Sequence, residues 1–217
     1  MALIRSVFQD ELDSISQSLV DLTEMVALSM TNATNAILNC DIKLAEEVIA
    51  SDEKIDAFQH DIDTAIIDTI ARQQPVASDL RALVTALRMG ADLERMGDLS
   101  NHIAKVARLR HPECAIPAEL TELIKSLGDY SVSITKKVSI VISSRDTDLA
   151  LEVERDDDVI DEIHRKLIGS LVNPQMSYNI EKAIDLTLIG RYYERYADHA
   201  VSVSRRVYFL VTGKYPA

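Results

Sequence analysis

Apolar residues recur at helical spacing through nearly the whole chain, and the interruptions are few. From residue 4 to about residue 39 the positions Leu12, Ile15, Leu19, Leu22, Val26, Ala33 and Ile37 fall on one face, with no proline or glycine between them. That period predicts a single long amphipathic helix. Asn39-Cys40-Asp41 reads as a short turn in which Asp41 caps the next helix. The second helix runs to about Arg72, where Gln73-Gln74-Pro75 breaks it, and Ser78 or Asp79 restarts the chain. A third helix follows to about Leu109. Its face of Leu80, Leu83, Val84, Leu87 and Ala91 is the stripe expected to meet a core, and Glu94 and Asp98 continue that stripe.

After the two prolines of His111 to Pro117 the plan begins again. Helices are expected from about Ala118 to Ser143, then beyond a turn at Arg145-Asp146, then from about Ser177 to Val211 after a break at Asn173-Pro174. Leu44-Ala45, Glu47-Val48, Asp52 and Ile55-Asp56 match Leu149-Ala150, Glu152-Val153, Asp157 and Ile160-Asp161 at an offset of 105 positions. Gly90, Glu94, Arg95 and Asp98 match Gly190, Glu194, Arg195 and Asp198 at an offset of 100. The second copy is shorter near the proline turn, where deletions are best tolerated. The expectation is an all-α protein of two tandem, pseudo-symmetric three-helix bundles, residues 1–111 and 112–217. Six glycines, five prolines and 5% aromatic residues agree with it, because few turn formers leave few hairpins.

Charge narrows the function. A net charge of -12 repels phosphate backbones and anionic lipid, which argues against nucleic acid and electrostatic membrane docking, and suits a protein that binds cations. No apolar run approaches the roughly 18 residues that span a bilayer, and the amino terminus carries no secretory pattern. Cys40 and Cys114, distant in sequence and without metal-type spacing, read as reduced thiols of a cytosolic protein.

Four acid pairs stand four residues apart, one on the second and one on the third helix of each half. They are Asp52 with Asp56, Glu94 with Asp98, Asp157 with Asp161, and Glu194 with Asp198. Stacked like charges destabilise a helix, and more so when partly desolvated, so each pair needs a counterion. A single pair is ordinarily a solvated face or a partner for Arg95 or Arg195, Asp92 being one candidate for Arg95. Four pairs in duplicated register point instead to metal ions, more than one per groove. His60 and His102 extend the two first-half ladders by one turn, where the second half has Arg165 and Ser202, so nitrogen ligation is a possibility of the first half alone. His164 follows Asp161 at the spacing of a looser di-iron echo, and His199 points about 100° from Asp198.

These repeats, with their (E/D)xxxD pairs and the E-R-x-x-D core of Glu94-Arg95 to Asp98 and Glu194-Arg195 to Asp198, closely resemble the PhoU phosphate-signalling proteins over essentially the whole chain. Where that family continues to an asparagine four residues past the aspartate, this chain has His102 and Ser202. The resemblance implies a cytoplasmic homodimer that reaches the inner face of the membrane only through protein partners, namely the phosphate ABC transporter and a membrane sensor histidine kinase. It also implies negative regulation of phosphate-starvation signalling and multinuclear divalent or trivalent metal (Fe, Zn, Ni, Mn or Mg) on the eight carboxylates. No catalytic set is expected: there is no Gly-rich phosphate loop, no triad-like group, and no paired Glu-x-x-His motif. The rival readings are a carboxylate-bridged metalloenzyme and a metal-free helical adaptor.

Overall fold

The computed structural model describes residues 2–173 and 178–216, with side chains from Val7 onward. Among these residues there are six α-helices and one short 3-10 turn, and no strand: α1 (Ala2–Asn39), α2 (Ile42–Gln73), α3 (Ser78–Arg110), the turn Ala118–Leu120, α4 (Thr121–Ser144), α5 (Thr147–Leu171) and α6 (Ile180–Thr212). The expected all-α class and six long helices are what is found. The fourth helix begins with a 3-10 turn after Pro117 and becomes α-helical only at Thr121. Pro174 and the expected helix start at Ser177 lie outside the described residues.

The two halves use the same local devices. Asp41 accepts hydrogen bonds from the backbone N–H groups of Lys43 and Leu44, and Asp146 accepts them from Asp148 and Leu149, so each second helix has a side-chain cap. The preceding residues Cys40 and Arg145, equivalent at the offset of 105, both take the left-handed conformation (φ 56° and 57°) that turns the chain sharply. Gly213 ends α6 with φ 75° and donates its N–H to the carbonyl of Phe209.

α1, α3, α6 and α4 pack in a four-membered ring, with α2 laid between α1 and α3 and α5 between α4 and α6. One continuous core fills the ring, including Leu19, Leu22, Met30, Leu93, Met96, Ile134, Val138 and Ile189. Burying each large aliphatic side chain contributes about 1.5–3 kcal/mol. Two tyrosines of α6 are wholly buried and hydrogen-bonded to other helices of the ring: the Tyr193 hydroxyl meets Thr34 of α1 and the Tyr196 hydroxyl meets Thr135 of α4, each at 2.8 Å. Burial pushes both phenols above their ordinary range.

The third helix buries only part of the stripe expected of it, Leu83 fully and Leu87 partly. Leu80 and Val84 are 39% and 40% exposed and Ala91 is exposed, whereas Leu83, Met89, Gly90, Leu93, Met96, Gly97, Ser100, Ile103 and Ala104 are buried. α3 contacts α1, α2 and α6 at once, so small residues that permit close approach decide its buried side as much as large ones do. Glu94 and Asp98 therefore flank the core rather than interrupt it.

Cys40 and Cys114 form a disulfide with their Cα atoms 5.1 Å apart, which corrects the expectation of separate reduced thiols. α2 and α3 have 32 and 33 residues and run antiparallel, so the chain returns after 74 positions to the turn it left. No described helix is long and apolar enough to cross a membrane.

Candidate metal grooves

Close helix contact sets each groove. A Cβ added at Gly97 would lie 3.0 Å from the Ile55 side chain, and one at Gly190 would lie 2.8 Å from Leu167 and 2.9 Å from His164. The missing side chains let α2 approach α3, and α5 approach α6, so the carboxylates of facing helices come within electrostatic reach.

In the first groove, α2 turns Val48, Ile55, Ile62 and Ile66 inward, which leaves Asp52 half-buried at the edge and Asp56 exposed. Burial raises the Asp52 carboxyl; a hydrogen bond from Asn101 opposes this, and the charges of Asp56 and Asp98 add to the rise. Glu94 is raised by burial and by Asp98, with Arg95 opposing and Asp56 and Asp52 contributing. All four predicted acids of the first half thus share one electrostatic site. Arg95 pairs with Glu94 at 3.4 Å and Asp98 at 2.7 Å, not with Asp92.

The second groove brings together its own four. Burial drives the Asp157 carboxyl up to about 7, and the charges of Asp161, Asp198, Asp158 and Glu194 drive it the same way. Glu194 is raised by burial and Asp198, while Arg191, three residues earlier, pairs with it and opposes the shift. Arg191 thus takes the part that Arg195 was expected to play.

The histidines contribute less. His60 is exposed, and His102 spends Nδ1 on the Asp98 carbonyl at 2.6 Å while its ring lies 5.2 Å from that of Tyr192. His164 packs beside Gly190, its imidazole lowered by burial and by Arg191. His199 donates to Asp92 at 3.1 Å, and Asp92 also accepts from Ser202 at 3.0 Å and Arg206 at 2.8 Å. Burial raises the Asp92 carboxyl, but these hydrogen bonds outweigh it and hold it below the ordinary range. They also tie α3 to α6 between the two grooves.

Sequence reasoning passed over Asn101. It is 4% exposed and donates Nδ2 to Asp52, one position before the place where the family pattern has its asparagine. The available signal was an amide beside Ser100 on the buried side of α3. Asp63, half-buried near Gly90 with Oδ1 unpartnered, was missed as well.

Among the described residues, no three His, Cys, Asp or Glu side chains already converge as a formed metal site. The donor chemistry nonetheless fits hard cations. Asp52 Oδ1 and Asn101 Oδ1 in the first groove, and Asp157 Oδ1 and Glu194 Oε2 in the second, are buried oxygens with no hydrogen-bond partner. Buried acceptors of this kind are costly unless something satisfies them.

The fold and its grooves define a duplicated helical protein with an acidic cleft between the last two helices of each half. The PhoU domain model matches residues 19–107 and again residues 124–207. The phosphate-specific transport system accessory protein PhoU homolog 2 of Mycobacterium tuberculosis is 38% identical over 213 residues, covering 98% of this chain and 100% of that protein. The PhoU homolog of Rhizobium meliloti is 31% identical, covering 99% of this chain and 91% of that protein. The crystal structure of the phosphate transport system regulatory protein PhoU from Streptococcus pneumoniae superimposes with a TM-score of 0.88 at 26% identity, over 97% of this chain and 99% of that one. That of PhoU from Pseudomonas aeruginosa gives 0.84 at 26% identity, over 95% and 100%. This chain belongs to the PhoU family.

Proposed function

We propose that the chain is a metal-binding accessory protein of phosphate transport, and that it acts by presenting two metal-loaded grooves to its partners. The observation that carries this reading is the duplication of half-buried acids with unpartnered oxygens, in matching places on α2–α3 and α5–α6. Asp52, Asp56, Glu94 and Asp98 would hold metal in the first groove, and Asp157, Asp161, Glu194 and Asp198 in the second. Bound divalent or trivalent ions supply positive charge where the bare protein has mutual repulsion. The carboxylates then hold the ions at the groove surface, and Arg95 and Arg191 orient Glu94, Asp98 and Glu194.

The relatives' printed names tie them to phosphate-specific transport, and their similarity spans the full length, which supports the same system for this chain. Its finer role is negative regulation of phosphate-starvation signalling and high-affinity uptake. It acts as a cytoplasmic homodimer docking on the transporter and on a membrane sensor kinase, without catalysis of its own. Each half is a unit of that role, with the boundary near residue 111. Elemental analysis of protein purified without chelators tests the reading: metal in excess of one ion per chain is expected, together with capture of the transporter that EDTA weakens. Metal-free protein, with capture indifferent to EDTA, would instead favour the plain helical adaptor.

A further inference from the structure

The two grooves differ in what surrounds their acids. A cleft of about 760 Å³ opens beside the second cluster, lined by Asp157 and Asp198 together with Arg155, Arg205, Arg206 and Tyr215. At the equivalent places in the first half stand Ala50, Lys105 and Val106. Three guanidinium groups thus gather at one metal groove and not at the other.

Two of them are held in place. Arg205 directs Nε to Glu154 at 2.6 Å and Nη2 to the same oxygen, which leaves Nη1 uncommitted. Arg206 gives Nε to Asp92 at 2.8 Å, and among the described residues no hydrogen bond or ion pair occupies its two terminal nitrogens. Arg155 is exposed and makes no ion pair among the described residues. A guanidinium carries five N–H donors in a rigid fork suited to tetrahedral oxyanions, so anchoring one edge orients the remainder. The same cleft also carries Glu154, Asp157, Asp158 and Asp198, and against four acids three arginines do not attract an anion. With metal on Asp157 and Asp198, the balance reverses.

We infer that the α5–α6 cleft of the metal-loaded protein binds one phosphoryl group per chain, between the metal and Arg155, Arg205 and Arg206, while the α2–α3 groove binds none. This rests on the metal reading above. The phosphoryl group is that of inorganic phosphate or of a nucleotide, whose base would meet Tyr215; that ring stacks on Phe209 with centroids 4.6 Å apart and is 54% exposed.

Full-length protein is loaded with Mn²⁺, freed of excess metal, assayed for metal content, and then dialysed to equilibrium against labelled inorganic phosphate and, separately, against labelled ADP. One saturable equivalent per chain is expected for at least one of the two, weakened at least about tenfold in Arg155→Gln at unchanged metal content. If phosphate binds, the free anion is the ligand. If only ADP binds, and Tyr215→Ala weakens it, the nucleotide is. Full metal content with no saturable binding of either, two equivalents per chain, or binding indifferent to Arg155→Gln overturns the inference and leaves the metal reading standing. Protein that takes up no metal overturns both.

Discussion

The first and second grooves share a backbone plan and each keeps two unpartnered buried oxygens, yet more of the first groove's acids have a partner from their own chain. In the first, Asn101 donates to Asp52, and Arg95 spans Glu94 and Asp98. In the second, Arg191 reaches only Glu194, and Asp157 carries enough burial and like charge to hold a proton up to about pH 7. The first half is also stapled by the Cys40–Cys114 disulfide at the turn whose counterpart carries Arg145. Duplication kept the acids and let the supports diverge. The second half, with fewer supports, should depend more on a cation.

The largest effect should separate the halves by covalent support. Reducing the disulfide, or replacing Cys40→Ser, removes a cross-link over 74 positions and should cost about 2–4 kcal/mol. Hydrogen exchange should localise the loss to the α1–α2 turn and the 111–117 linker; uniform loss over α5 and α6 would break the comparison. Next in size, Asp157→Asn with Glu194→Gln should lower second-groove metal affinity by about 100-fold or more and leave the first groove loaded. Metal-free, the same variant should melt above the parent, because it deletes repulsion that nothing offsets. A lower melting temperature would place these acids among the structural hydrogen-bonding groups instead.

A smaller effect is expected from pH. The Asp157 carboxyl is raised in the folded state from an ordinary value of 3.8 to about 7, so the folded protein binds more protons than the unfolded chain between those values. Metal-free stability should therefore fall as pH rises through that window. After allowance for solvent screening at this half-exposed group, the fall is on the order of 1–2 kcal/mol. Metal must displace the same proton, so metal affinity should rise over the same range, with about one proton released per chain near pH 6. Asp157→Asn should flatten both trends to the smaller contribution left by Asp52, Glu94 and Glu194, as urea melts and calorimetry in buffers of different ionisation enthalpy would show.

Much of this was legible in the chain. Helix number, the Asp41 cap and the four acid pairs follow from spacing alone, because helical period and repeat register are local properties. The buried side of α3 was not, since Gly90, Gly97, Ser100 and Ala104 carry little hydrophobic signal and become interior only through three neighbouring helices. The partners of Asp92 come from residues more than 100 positions away, and Cys114 reaches Cys40 through the antiparallel return of α2 and α3. Long-range pairing of that kind leaves no periodic trace.

Anomalous diffraction from crystals grown with Mn²⁺ and without chelators tests the central claim most directly. Peaks are expected in both grooves, about 2.0–2.3 Å from oxygens of Asp52 or Glu94 and of Asp157 or Glu194. Grooves without a peak, with the Mn²⁺ located elsewhere or nowhere, would contradict the account.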